Sequence, residues 1–340
     1  MAATRFQKFG NDLYTGARSI DFVGKHKIWY TIAAVLVIAS IIVPIVKGGF
    51  NFGIDFTGGS QFTVSDVQNT DQTLAQNAVL SVKPDATVQV SVTSGSGGEG
   101  IRVQTDQLTP AQSVQVTSAL ADAYNVPRSN IASTFIGPSW GADVSRQAIQ
   151  GLVVFLLLAF IAMALYFRTW KMSAAAIISL FHDLIITAGI YALVGFEITP
   201  ATLIGFLTIL GYSLYDTVVV FDKIRENTRF DKDALKHTFK ESVNLAVNQT
   251  LVRSINTAVV AALPVAAILF IGAFVLGADT LRDISLALFI GILIGTYSTI
   301  FIAAPLYGDF RHGEKEIAKH DKKVLAARAK APATTVVAAD

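Results

Sequence analysis

The sequence predicts an α-helical multi-pass membrane protein, six transmembrane helices in all, with one α+β domain on the extracytoplasmic side. Three observations carry this. The 340 residues are 52% apolar and 15% charged, which is more apolar and less charged than an ordinary soluble domain. Six windows are apolar for long enough to cross roughly 30 Å of hydrocarbon as helices: 28–46, 148–167, 172–195, 199–221, 255–276 and 284–307. Between the first two lies a long stretch, 47–147, with the alternations of a water-soluble domain.

Taken in order, residues 1–27 mix basic residues with Phe6, Phe9, Leu13, Tyr14, Ile20, Phe22 and Trp29 just beyond, a composition suited to the cytoplasmic headgroup region. The first span, 28–46, is too long for a signal h-region, sits behind 27 residues and lacks an Ala-x-Ala exit, so it is expected to stay in the mature chain. In the domain 47–147, Gly53 to Ser65 alternates as a strand, Asp71 to Val82 has helical spacing, and Ala86 to Thr93 alternates again. SGSGGEG (94–100) reads as a flexible hairpin loop into a strand at Ile101 to Thr105. No Lys-Ser/Thr and no helix start follow it, which argues against a phosphate-binding loop. Thr109-Pro110 opens a second helix to about Tyr124, and Asn130 to Ile136 closes as a strand. The order β-α-β-β-α-β is that of a ferredoxin-like module.

The remaining spans, 148–307, form a five-helix bundle with a cytoplasmic loop at 222–253, where Leu235, Phe239, Val243 and Leu245 suggest an interfacial helix. The tail 308–340 is charged and then Ala-rich with Pro332, so partial disorder is expected. Of the 27 Lys and Arg, 21 fall before the first span, between the second and third, in 222–253 and after Gly308, all on one side. The positive-inside rule then puts both termini in the cytoplasm. The absence of cysteine excludes disulfides, thiolate metal sites and thiol catalysis.

Ionisable residues at depth are the candidate functional residues. Asp216 lies in the apolar run GYSLYDTVVVFDKIREN (211–227), six residues or about 9 Å from the charged end at Asp222. Asp183, beside His182 in SLFHDLIITAG, lies 12 residues or about 18 Å beyond Lys171. Arg253-Ser-Ile-Asn-Thr257 brings a guanidinium, Asn256 and Thr257 to the entrance of the fifth span. Burial favours a neutral carboxyl and a nearby guanidinium favours the carboxylate, so Asp216 is placed to load and release a proton. A static Asp216–Arg253 ion pair that orients helices is the alternative. For His182 and Asp183 a helix–helix hydrogen-bonding role is expected. Gly291 and Gly295 in GILIG form a small-xxx-small pair suited to close packing.

FNFGIDFTGGSQF (50–62), HD at 182–183, the 211–227 run and RSINT (253–257) together make the chain similar to the SecF branch of the SecD/SecF family, within the RND superfamily, through Phe310. The resemblance implies an RND half-unit: one span, an outward domain, five spans. It also implies an accessory subunit of the Sec translocase in the bacterial cytoplasmic (inner) membrane that, with SecD, uses the proton gradient to drive late stages of preprotein export. The implied partners are SecD, the SecYEG channel, the translocating preprotein and membrane lipids, with no nucleic acid. Residue by residue, Asp216 matches the aspartate thought to bind the proton and Arg253 the arginine thought to respond to it. No cofactor, metal or enzymatic activity is expected beyond the coupling ion, proton or sodium. Leu214-Tyr215 and Ala258-Val-Val depart from the usual motif and bear on local hydrogen bonding. The alternative is an RND-type small-molecule or lipid exporter, against which the single half-unit size argues. An intramembrane aspartyl protease needs Gly-x-Gly-Asp, whereas Asp183 follows Leu-Phe-His. A passive scaffold for the channel is the reading a static pair would favour.

Overall fold

A computed structural model describes residues 5–95, 98–229, 236–272 and 279–330. Six helices are long and apolar enough to cross a membrane: His26–Lys47, Ser139–Phe167, Trp170–Val194, Pro200–Asn227, Phe239–Phe270 and Thr280–His312. They lie in α2 (His26–Lys47), α6 (Pro138–Phe167), α7 (Trp170–Val194), α8 (Pro200–Asn227), α9 (Phe239–Phe270) and α10–α11 (Asp279–Ser298 and Ala304–His312). Between α10 and α11 the chain makes a π turn, Thr299–Ala303. Pro305 has no amide hydrogen for the carbonyl of Phe301, and the helix is rewound with wider spacing just before it.

The α+β domain inserts between α2 and α6. A short helix α3 (Ile54–Thr57) precedes β1 (Gly59–Val64), followed by α4 (Gln72–Val82), β2 (Val88–Gly95), β3 (Gly98–Thr105), α5 (Pro110–Tyr124) and β4 (Ile131–Ile136). The antiparallel sheet has the order β2-β3-β1-β4, the ferredoxin-like arrangement. Asp71 caps α4 by accepting from the Thr73 amide, and Thr109 with Gln112 forms a capping box on α5. Phe62, Val64, Ile101 and Val103 on one sheet face bury against Val79, Val116 and Leu120 of the two helices.

Two expectations for this domain need correction. The strand drawn from Gly53 begins only at Gly59, because Gly58 (φ 71°) and Gly59 (φ 138°) turn the chain out of α3. A Cβ on Gly59 would lie 2.3 Å from the Thr105 carbonyl oxygen, so only glycine fits beside β3 there. The expected loop 94–100 is mostly strand, since β2 and β3 pair as far as Gly95 opposite Gly98. Residues 96 and 97 lie outside the described residues.

On the other side of the bundle two expectations are also corrected. The cytoplasmic loop is shorter than 222–253: α8 continues to Asn227, and α9 starts at Phe239 with a Thr238–Glu241 capping box and runs unbroken through Arg253. Phe239, Val243, Ala246 and Val247 are buried at helical spacing in the bundle core, so they pack on protein instead of lipid; Leu235 lies outside the described residues. Residues 5–27 also pack on the bundle, with α1 (Arg5–Thr15) burying Leu13. Asn248 and Asn244 of α9 hold the backbone of Ile20, Phe22 and Val23 by hydrogen bonds of 2.8–3.1 Å. The tail contains α12 (Lys315–Lys330), which buries Ile317 and Val324. Arg328 pairs with Glu241 at 2.6 Å and Asp321 accepts the Phe239 amide. Pro332 and the Ala-rich end lie outside the described residues.

The domain meets the bundle at the neck. Phe52 forms a parallel bridge with Ile198 in the α7–α8 turn. Arg102 on β3 faces Glu197 at 3.5 Å, and Gln104 donates to Glu197 at 2.7 Å.

Candidate functional site

The site is built on α8, whose start is fixed by Thr199 and Thr202 in a capping box with Pro200 at the first turn. Asp216 follows about four turns later and is 3% exposed. Ser254 of α9 donates its hydroxyl to Asp216 Oδ1 at 2.9 Å. Asp216 Oδ2 is buried with no hydrogen-bond partner among the described residues, a costly position for a charged oxygen.

One turn earlier on α8, Ser213 donates to Asp183 Oδ2 at 2.6 Å, the length of a charge-assisted bond. Asp183 is fully buried on α7, and its Oδ1 lies 3.2 Å from His182 Nδ1. One residue beyond Asp216, the Thr217 hydroxyl shares a hydrogen bond with Thr299 at 2.9 Å. Thr299 opens the π turn, a local rewinding often found at functional positions. Residues 213, 216 and 217 thus tie α8 to α7, α9 and the last span within little more than one turn.

Close helix approach makes this seam possible. A Cβ on Gly291 would sit 2.2 Å from Ile209 Cδ1, and one on Gly295 3.0 Å from Ser213 Cβ. Both glycines therefore let α10 press on α8, Gly295 directly against the serine that holds Asp183.

Of the candidate residues, Asp216, Asp183 and His182 lie in the seam. Arg253, Asn256 and Thr257 do not join its hydrogen bonds. Arg253 is exposed and makes no ion pair with Asp216. Asn256 is exposed and Thr257 half-buried. The reason is helical phase: with 100° between neighbours, a helix that turns Ser254 inward turns Arg253 and Asn256 away. The residues that sequence reasoning passed over are Ser213, Thr217, Ser254 and Thr299. Ser213 and Thr217 were open to discovery, because they are i, i+4 neighbours and Ser213 also stands one turn before Asp216 on its face. Serines and threonines are too common in membrane helices for Ser254 or Thr299 to stand out alone.

A family model described as "Protein export membrane protein SecD/SecF, C-terminal" matches residues 115–312, which include the whole seam. The chain belongs to the SecD/SecF family. A second SecD/SecF model, the GG motif, matches residues 45–65 and so covers Gly58-Gly59. The protein translocase subunit SecF of Streptomyces coelicolor is 44% identical over 324 residues, covering 95% of this chain and 85% of that one. The SecF subunit of Mycobacterium tuberculosis is 39% identical, covering 94% and 73%. The crystal structure of SecDF from Thermus thermophilus, a translocon-associated membrane protein, superposes with a TM-score of 0.73 at 31% identity, over 87% of this chain and 39% of the other. The chain therefore spans about two-fifths of that SecDF chain. It is a multi-pass membrane subunit of the SecF kind, with a role in Sec-pathway protein export.

Proposed function

We propose that this subunit couples proton movement to the late stages of preprotein export, with Asp216 as the group that gains and loses the proton. The observation that carries the reading is the asymmetry of its carboxyl: Oδ1 is held by Ser254 while Oδ2 is enclosed without a donor. A carboxylate in that setting accepts from α9; adding a proton removes the buried charge and turns Oδ2 from an unmatched acceptor into a donor. The two forms hold α8 and α9 differently, which is the requirement for a two-state element. A proton moving through the membrane field releases about 2.3 kcal/mol per 100 mV, enough to bias states a few kcal/mol apart.

The exposed Arg253, with no ion pair to Asp216, speaks against a purely static pair. Arg253, next in sequence to the Ser254 that holds Asp216, is the residue assigned to answer a change at that carboxyl without direct contact. A SecD-type half-unit is the natural partner, since a relative named SecDF carries the region similar to this chain in 39% of its length. The SecYEG channel and the emerging preprotein complete the proposed assembly in the bacterial inner membrane, both termini cytoplasmic. The test replaces Asp216 with Asn in cells and follows export of a slow preprotein with and without a proton gradient. The gradient-dependent part of the rate is expected to vanish. Export that keeps its full dependence on the gradient leaves the subunit a passive scaffold.

A further inference from the structure

At the end of the bundle away from the outward domain, a cavity of about 350 Å³ opens between the α6–α7 turn, the end of α8 and α11. It is near the lower limit of ordinary ligand pockets, ~300 Å³. Four arginines line it, Arg168, Arg225, Arg229 and Arg311, above a floor that includes the buried Phe167 and Met172. The export mechanism proposed above uses none of them.

Among the described residues, three of these four guanidinium groups have no carboxylate partner. Arg311 is held by Glu314 at 2.7 Å and Lys171 meets the same carboxylate at 2.8 Å, so one acid serves both, while Asp222 at the rim accepts from the Tyr166 hydroxyl at 3.4 Å. Arg168, Arg225 and Arg229 form no ion pair with a carboxylate among the described residues; Arg225 donates only to the Tyr166 carbonyl at 3.2 Å. Arg168 is also held in the left-handed region at φ 54°, a conformation that costs a non-glycine residue about 1 kcal/mol or more. Thr169 then caps the 25-residue α7 with no side-chain hydrogen bond, and the partial positive charge of that helix end adds to the same place.

The rim is built for lipid. Tyr166, Leu165 and Trp170 are 55%, 74% and 63% exposed at the cavity edge, the aromatic–apolar composition of a membrane–water boundary. Leu158, Ile161 and Leu165 continue an exposed apolar track along α6. We propose that this cavity is a binding site for the phosphate of an anionic phospholipid headgroup, with the acyl chains lying along that track. Guanidinium groups suit phosphate because they donate in a planar fork, and basic pockets between helix ends are a known form of headgroup site.

The experiment uses the full chain in bilayers, with Trp29 and Trp140 replaced by Phe so that Trp170 alone reports. Quenching by brominated phosphatidylglycerol is compared with quenching by brominated phosphatidylcholine. The anionic lipid is expected to quench at several-fold lower mole fraction. Arg225→Gln with Arg229→Gln is expected to erase that preference, and Arg229→Gln alone, at an exposed position, to weaken it about fivefold. Lys322→Gln with Lys323→Gln on α12 is expected to leave it intact. Equal quenching by both lipids, or the same loss in the α12 variant, overturns the site, the latter by reducing it to general attraction of a basic protein surface. Abolition of the preference by millimolar inorganic phosphate overturns the lipid assignment in favour of a soluble phosphate ligand.

Discussion

Asp216 and Asp183 are both buried acids on neighbouring helices, yet their surroundings give them different capacities. Asp183 has Ser213 on one oxygen and His182 near the other, an arrangement that satisfies the whole group and favours a fixed role. Asp216 has, among the described residues, only Ser254. A hydrogen bond to a charged group contributes roughly 1.5–3 kcal/mol, so Ser254→Ala is expected to slow gradient-driven export by about tenfold. In an Asp216→Asn background the same change should do nothing further, because the two act as one unit. Additive losses in export rate would show that Ser254 acts elsewhere. A lone acid in an apolar run is visible in any reading of the sequence, whereas the serine that serves it is visible only once the phase of α9 is known.

At the scale of helices, contact distance is set by a few glycines. A Cβ on Gly189 would lie 2.3 Å from Ser40 Cβ and 2.6 Å from Ser40 Cα, so α2 and α7 meet almost backbone to backbone. Gly189→Ala should therefore cost about 1–3 kcal/mol through overpacking and lower the yield of a cysteine cross-link engineered between α2 and α7. Gly151→Ala, whose Cβ would lie 3.9 Å from Leu207 Cδ1, should leave that yield unchanged. Equal yields in both variants would contradict the close approach. The pair Gly291–Gly295 was legible as a packing motif from its spacing, but its target was not, since spacing names a face and not the neighbour. The same limit explains the terminal segments. Leu13, Phe22, Ile317 and Val324 are all buried on protein, and an amphipathic stretch in sequence looks alike whether its apolar side faces lipid or a helix.

The molecule as a whole joins a soluble domain to a membrane bundle through a small polar neck. Arg102 and Glu197 are both mostly buried there, and removing one member of a buried pair costs about 3 kcal/mol. Arg102→Met is expected to speed amide hydrogen exchange at 50–53 and 196–199, and Arg102→Met with Glu197→Met to restore part of the protection. Unaltered exchange in the single variant would mean that the Phe52–Ile198 bridge and the Gln104–Glu197 hydrogen bond seat the domain without Arg102. The six spans and the β-α-β-β-α-β order were legible because hydropathy and alternation are local signals. The neck was not, because nothing local ties Arg102 to a glutamate 95 residues away.

Proton movement through Asp216 is the claim on which the functional account stands, and flux measures it directly. The full chain, reconstituted with a SecD-type partner in vesicles under a membrane potential, should take up protons, as followed with a pH-sensitive dye. Asp216→Asn should reduce uptake to that of empty vesicles while Asp216→Glu retains a measurable part. Undiminished uptake by the Asp216→Asn protein would contradict the account.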